Sequence, residues 1–238
     1  IDRDQEALDR AREALAAYSD RVTLLRGNFG DMKELLQSVG VKSIEGALFD
    51  LGISSYQLAS GRGFSFNDDE ELDMRMDRRQ DLTAYDIVNS YRQDVIARIL
   101  YEYGEEWQSR RIAKAIFEHR KKDRIRTGRQ LAEIIASVKK RTGKIHPATK
   151  TFQALRIAVN DELRSLVKGM DGAIELLSSG SRIGIITFHS LEDRIVKERF
   201  RNEEALTVLT RKPIRPGIDE VRSNPRSRSA KLRIAQKN

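Results

Sequence analysis

In the stretch Gly46-Ala-Leu-Phe-Asp-Leu-Gly-Ile-Ser-Ser-Tyr-Gln57 an apolar strand runs into Asp50, then a glycine and two hydroxyls. In an open α/β sheet that order puts Asp50 at the carboxyl edge of a strand, where ligands bind, and a reaction centre is its natural reading. It equally describes an ordinary strand-to-helix turn in which Asp and Ser act as caps. Asp2 also stands at a strand end, and Phe29 follows the strand between the two acids. In a nucleoside-binding, doubly wound fold, an acid ending the second strand accepts hydrogen bonds from ribose hydroxyls, and an aromatic after the third can stack on adenine. That set suits S-adenosylmethionine as well as a dinucleotide, and spacing alone does not separate them. His189, one residue past an apolar strand at the same edge, can orient a substrate or accept a proton; beside Ser190 it can also simply pack at a helix start. The acidic run Asp68 to Asp73 lacks regular ligand spacing for a divalent cation and reads as solvated, or paired with Arg75, Arg78 and Arg79. With no cysteine and only His119, His146 and His189 available, no metal site is predicted.

The elements that must position these groups are legible as periodicities. Ala7, Leu8, Ala11, Leu15 and Tyr18 share a helical face over residues 4–18, after Ile1-Asp2 as the last turn of a strand. Val22 to Leu25 is predicted as a short strand, Asp31 as the cap of a brief helix to Ser38, and Glu45 to Leu51 as the next strand. This β-α-β-α-β order with short connections is the signature of a parallel, doubly wound sheet. After Gln57 a Gly-, Ser- and acid-rich loop leads to helical periodicity from Thr83 to Lys122, broken near Gly104, with a third helix from Thr127 to Lys139. These form a helical insertion, and aromatics at helical spacing within it, Tyr103 and Trp107 included, read as core, because packing explains them without a ligand. A long helix from Thr149 through Leu166 continues to a second at Met170 to Leu177. A strand at Arg182 to Phe188, a helix with Ser190 as its cap, and a last strand at Ala230 to Ala235 restore the αβ alternation.

The charge is uneven. Residues 120–150 carry eleven Lys or Arg against Asp123 and Glu133, and residues 211–238 carry nine against Asp219 and Glu220, within a chain of net +8. Two basic segments on an otherwise acidic body suit phosphate contacts, since cationic clusters release counterions condensed on nucleic acid; a solvated helix face with a charged tail is the alternative. No apolar run reaches 18 residues and no leader pattern precedes a cleavage site, so the chain is expected to be soluble, cytoplasmic and without a membrane anchor.

Eight motifs carry a resemblance: Asp50-Leu-Gly-Ile-Ser-Ser-Tyr-Gln57, Arg62-Gly-Phe-Ser-Phe66, Leu72-Asp-Met-Arg-Met-Asp77, Tyr103-Gly-Glu-Glu106, His146 to Ile157, Val159-Asn160 with Glu162, Phe188 to Lys197, and Asn224 to Arg233. Together, and in order over nearly the whole chain, they resemble the RsmH (MraW) family, methyltransferases that modify the N4 amine of a cytidine in the decoding centre of 16S rRNA. The resemblance implies a Rossmann-like class I S-adenosylmethionine-dependent methyltransferase sheet with an inserted all-helical domain. The sheet domain would span 1–57 and 146–238, and the insertion, 58–145, would recognise RNA. It implies that Asp2, Phe29, Asp50 and Gln57 hold S-adenosylmethionine, and that the partner is 16S rRNA or the small ribosomal subunit, a homodimer being allowed. For in-line transfer to a cytosine amine, Asp50 or the carbonyls of Leu51 to Ser54 are the expected acceptors of an N4 proton, Ser54, Ser55 or Asn160 the expected readers of the base's Watson–Crick edge, and His189 the further candidate at the same sheet edge. The family's opening strand and its glycine-rich loop are expected ahead of Ile1, extra residues are usual before Arg211-Lys-Pro213, and Tyr56 replaces a usual Pro. A non-catalytic ribosome-assembly factor with a degenerate cofactor site is the competing expectation. A nicotinamide oxidoreductase is disfavoured, as no Gly-x-Gly-x-x-Gly occurs.

Overall fold

A computed structural model of the chain describes residues 1–67, 69–141, 143 and 145–238; Asp68 of the acidic run and Lys144 of the first basic segment lie outside the described residues. In chain order the elements are α1 (Gln5–Ala14), α2 (Met32–Ser38), β1 (Ile44–Asp50), α3 (Ser55–Ala59), α4 (Ala84–Ser90), α5 (Gln93–Gly104), α6 (Ser109–Arg120), α7 (Gly128–Val138), α8 (Thr149–Asn160), α9 (Glu162–Leu176), β2 (Leu177–Thr187), α10 (Ser190–Asn202), β3 (Leu206–Val208), α11 (Ile218–Ser223) and β4 (Lys231–Lys237). They form two compact units, 1–52 with 163–238, and 53–162. The division falls at 52/53 and 162/163 rather than at 57/58 and 145/146. The second boundary moves because α8 packs within the helical unit: Gly104 lets it approach so closely that a Cβ there would lie 2.6 Å from the Lys150 carbonyl oxygen.

The sheet unit carries four strands in the order β1-β2-β4-β3. β1 runs parallel to β2, pairing Asp50 with Ile186, whereas β4 is antiparallel to both β2 and β3. The sheet is thus mixed, a parallel pair extended by antiparallel strands. β2 has neighbours on both sides and buries Ile183, Ile185 and Thr187 in alternation, as a period of two requires. Ile183 and Ile185 pack with Phe49, Met170, Ala173, Val196 and Phe200 into one core. Asp193 of α10 ties this layer to β4, accepting from Lys231 Nζ at 2.9 Å and Arg233 Nε at 2.7 Å. Burial alone would raise the Asp193 carboxyl, but the hydrogen bonds from Arg233 and Lys231 outweigh it and hold the group below its ordinary value. Because the folded-state value is depressed, the stabilisation is present above the ordinary carboxylate range and is lost as pH falls through the folded value. Asp193→Asn is expected to lower stability by about 2 kcal/mol at neutral pH. In urea unfolding, that difference should shrink on acidification.

The helical unit has its own core of Leu72, Ile87, Ile96, Leu100, Ile112, Ile116, Leu131 and Leu155, all fully buried. α5 ends at Gly104 because Glu105 turns left-handed, φ 47°. Its last carbonyls are taken by α8 side chains: Lys150 Nζ donates to Glu105 O at 2.9 Å and Gln153 Nε2 to Tyr103 O at 3.1 Å.

Four expectations are corrected. Val22 to Leu25 is not a strand: Asp2 and Arg26 make one isolated parallel bridge, with Asp2 N donating to Leu25 O at 3.1 Å, and a single bridge does not build a ladder. The long helix after Thr149 breaks at Asp161, φ 47°, not near Gly169, and an Arg156–Glu162 bidentate pair at 2.8 and 2.9 Å brackets the break. Trp107 is not core but 82% exposed, because the left-handed turn at Glu105 resets the helical phase between α5 and α6; Tyr101 is 53% exposed. The cap of α10 is His189, not Ser190. His189 Nδ1 accepts from Glu192 N while Glu192 Oε2 accepts from the His189 N–H, and Asp193, engaged with β4, takes no part.

Candidate active site at the sheet edge

β1 and β2 are parallel neighbours, so Asp50 and the residues after Thr187 stand at the same carboxyl edge, joined by Leu51 N donating to Ile186 O at 3.2 Å. Among the described residues the Asp50 carboxylate has no hydrogen-bond partner. It is exposed to solvent, yet the protein atoms crowding it desolvate it enough to push its pKa up. Gly52 follows with φ 89°, a left-handed turn that suits glycine and bends the chain away directly after the strand.

Asp2 is half-buried and accepts from Asp4 N at 2.8 Å; Asp4 in turn caps α1 through Glu6 N at 3.1 Å. Desolvation pushes the Asp2 carboxyl up, against the Asp4 N–H bond that lowers it and alongside the Asp4 charge that raises it further. Phe29 begins a single 3-10 turn and meets Phe49, the residue before Asp50, edge to face at 5.6 Å between ring centres. Asp2, Phe29 and Asp50 therefore belong to one unit, Phe29 meeting the residue before Asp50 and Asp2 bridging Arg26 just ahead of the Phe29 turn.

Three positioning residues were not anticipated from the sequence. Asn28 Oδ1 accepts from Gly30 N at 2.9 Å and Arg3 Nη2 at 2.7 Å, and its Nδ2 donates to Ser165 Oγ at 2.8 Å, clamping the Phe29 turn between α9 and the chain after Asp2. Gly169 completes the seat, since a Cβ there would lie 2.7 Å from the Phe29 ring and 3.0 Å from its carbonyl oxygen. A Gly-Asn pair after an apolar run marks a turn and could have signalled Asn28. Ser165 and Gly169, mid-helix and distant in sequence, had no local signal.

The remaining predicted residues have structural partners. His189 sits at the shared edge as the α10 cap; its buried Nε2 lies 3.2 Å from Glu192 Oε1 but is not aligned for a hydrogen bond. Ser54 and Gln57, in the helical unit, form a reciprocal capping box for α3: Gln57 N donates to Ser54 Oγ at 3.1 Å and Ser54 N to Gln57 Oε1 at 2.9 Å. Asn160, 1% exposed in the same unit, accepts from Met76 N at 2.8 Å and donates to Met74 O and Arg156 O at 2.8 and 2.9 Å. Near the acidic run, Asp73 pairs with Arg75, Asp77 with Arg79 and Asp69 with Arg129.

A donor-seeking carboxylate at a parallel strand's end, with Asp2 and Phe29 in the same unit, suits a nucleoside ligand on a Rossmann-like α/β sheet, and a match to a methylase family makes that sheet one of the methyltransferase class. The comparisons are specific. The family model described as the MraW methylase family matches residues 1–238, and the chain belongs to that family. It is 50% identical over 243 residues to a protein of Persephonella marina, covering 100% of this chain and 83% of the relative. It is 48% identical over 260 residues to one of Brevibacillus brevis (100% and 82%) and 50% identical over 241 residues to one of Nostoc punctiforme (100% and 78%). Each of these relatives is named a ribosomal RNA small subunit methyltransferase H.

Proposed function

We propose that the protein transfers a methyl group from S-adenosylmethionine to the N4 amine of a cytidine in the decoding centre of 16S rRNA. The observation that carries this reading is the Asp50 edge: a carboxylate without a hydrogen-bond partner among the described residues, its pKa raised by desolvation, in the same unit as Asp2 and Phe29 and in a chain of the MraW methylase family. The donor set fits the cofactor. Two carboxylates suit the hydroxyls of a ribose and the positive charge of a sulfonium, and Phe29 offers an aromatic surface seated by Gly169. When bound, the cofactor supplies an electrophilic methyl group on that sulfonium. Asp2 accepts hydrogen bonds from the ribose diol, Phe29 packs on the base, and Asp50 presents negative charge at the reacting end. The cytosine N4 lone pair is delocalised into its ring; an acceptor for one N4 proton localises it and takes up the positive charge developing as the new N–C bond forms. Asp50 is that acceptor, and its raised pKa makes it a better base than an ordinary aspartate. Its proton count balances: the N4 proton passes to the carboxylate as the carbon–sulfur bond pair stays with sulfur.

At the sheet edge His189 acts by holding the start of α10 rather than by chemistry on the substrate, and within the helical unit Ser54 and Gln57 act as a capping box and Asn160 as a loop pin. The substrate is RNA of the small subunit, gripped by the basic segments, and the compartment is the cytoplasm; among the described residues no helix is long and apolar enough to cross a membrane. Nucleoside mass spectrometry on 16S rRNA from a strain lacking the protein tests the reading: N4-methylated cytidine should disappear and return on complementation. Unchanged modification would end it. Gly169→Ala should push Phe29 off its seat and weaken S-adenosylmethionine binding by up to about tenfold, the worth of one aromatic contact of about 0.5–1.5 kcal/mol. Calorimetry reads that shift, which Gly169→Ser should reproduce or exceed.

A further inference from the structure

Between α5 and α6 the helical unit opens a groove of about 1010 Å³, lined by Arg92, Ala97, Arg98, Tyr101, Trp107 and Arg110 among others. Trp107 is 82% exposed and Tyr101 53%, an unusual amount of aromatic surface to leave in water. Their rings meet at 82° with centres 6.0 Å apart, so each steadies the other while the ring that offers its edge keeps both faces clear of its partner. The groove is also cationic. Arg92 is paired with Asp94 at 3.0 Å, but Arg98 and Arg110 have no acidic partner among the described residues. Arg110 and Arg111 stand in the first turn of α6, which carries no acid. Cations there oppose the helix dipole, so the arrangement is not one that helix stability selects.

We propose that this groove is a nucleotide-stacking site for single-stranded RNA, distinct from the sheet edge. An unpaired base lies on the Trp107–Tyr101 pair, and the phosphates on either side of it contact Arg98 and Arg110. The juxtaposition of a free aromatic face with unpaired guanidinium groups is what single-strand RNA surfaces use: bases stack irrespective of identity while cations follow the backbone. The site deepens the RNA-methyltransferase reading and rests on it for the identity of its polymer. It would contribute affinity for the polymer rather than chemistry.

Trp107 is the sole tryptophan of the sequence, so its fluorescence reports this groove alone. Titration with a single-stranded oligoribonucleotide should quench it saturably, and an abasic oligomer of equal length should quench it several-fold less at equal occupancy. By fluorescence anisotropy of labelled RNA, Trp107→Ala should weaken binding about tenfold while Trp107→Phe retains most of it. Arg98→Gln and Arg110→Gln should each flatten the dependence of log affinity on log salt by about 0.7. RNA that binds with Trp107 emission unchanged, or that binds Trp107→Ala as tightly as the parent, overturns the proposal. So does emission that responds only to RNA-free ribosomal protein, which would make the groove a protein-docking surface. None of these readouts involves a methyl donor. Loss of the methyltransferase reading with quenching intact, and loss of quenching with methylation intact, are therefore separable results.

Discussion

Asp50→Asn is expected to reduce methyl transfer by about 100- to 1,000-fold without loosening the fold. The size follows from removing both the proposed proton acceptor and the negative charge proposed to face the reacting centre, each of which would act mainly in the transition state. Asparagine keeps the shape of the strand end and a carbonyl oxygen, so a purely structural or capping role for residue 50 predicts little change. Single-turnover kinetics on small-subunit rRNA, with calorimetry for the cofactor, separates the two. Transfer that survives with unchanged cofactor affinity removes Asp50 from its proposed role.

Stability should move the other way. Crowding raises the Asp50 carboxyl in the folded state, so the contribution of this group is complete below its unfolded-state pKa and is lost as pH rises through the higher folded value. At neutral pH the ionised carboxylate therefore weighs against folding, and Asp50→Asn should unfold in urea no earlier than the parent. The same sign holds for Asp2, whose carboxyl is also raised, chiefly by desolvation. Activity runs opposite to stability: the rate should fall on acidification as the raised Asp50 value is crossed, on the high side of the ordinary carboxylate range. A site that tolerates two unfavourable carboxylates is easier to explain by ligand than by fold.

The parts of the molecule legible in the sequence were those whose signal is local. β1 and β2 show through apolar runs, β4 through alternation of apolar and basic residues, the break after Gly104 through a glycine in a helical pattern, and Asp50 through an acid at a strand's end. What depended on partners distant in sequence was hidden. Val22 to Leu25 has strand composition but joins no ladder, the one bridge beside it being Asp2 with Arg26. Gly169 looks like a helix breaker, and only the Phe29 ring against it explains why α9 runs through. The α10 cap was misplaced by one residue because Glu192 and Asp193 are equivalent in a capping pattern, and the tie of Asp193 to Lys231 and Arg233 decides between them. Trp107 fitted the helical period of α5, but the left-handed Glu105 lay between and turned it outward. The eight motifs identified a family without saying what each residue does. Arg62-Gly-Phe and Leu72-Asp-Met, for example, interlock as structure: Met74 N donates to Arg62 O at 2.8 Å, and Gly63, φ 70°, fits where a Cβ would lie 2.6 Å from Glu71 O.

Asn160→Ala is expected to destabilise the helical unit by about 3 kcal/mol, the largest loss of stability foreseen for a single polar side chain here. Met74 is fully buried at φ 60°, a conformation that a side-chain-bearing residue adopts only when its surroundings hold it. Asn160 does the holding, gripping Met74 O and Met76 N on the two sides of Arg75 from the last position of α8. Alanine would leave a buried carbonyl and a buried N–H unpaired, each costing about 1–3 kcal/mol, and would release the strained turn. Asn160→Asp retains the acceptor for Met76 N but sets a carboxylate against Met74 O, so it should be no better, whereas a residue that merely reads a base would tolerate Asp in the fold. Urea unfolding of both variants, followed beside methyl transfer at saturating cofactor, decides the matter. If Asn160 is a pin, activity should fall in proportion to the folded fraction and recover at low temperature or with a stabilising osmolyte. If activity is lost at full foldedness, Asn160 acts on the substrate, and the assignment of the chemistry to Asp50 alone is wrong.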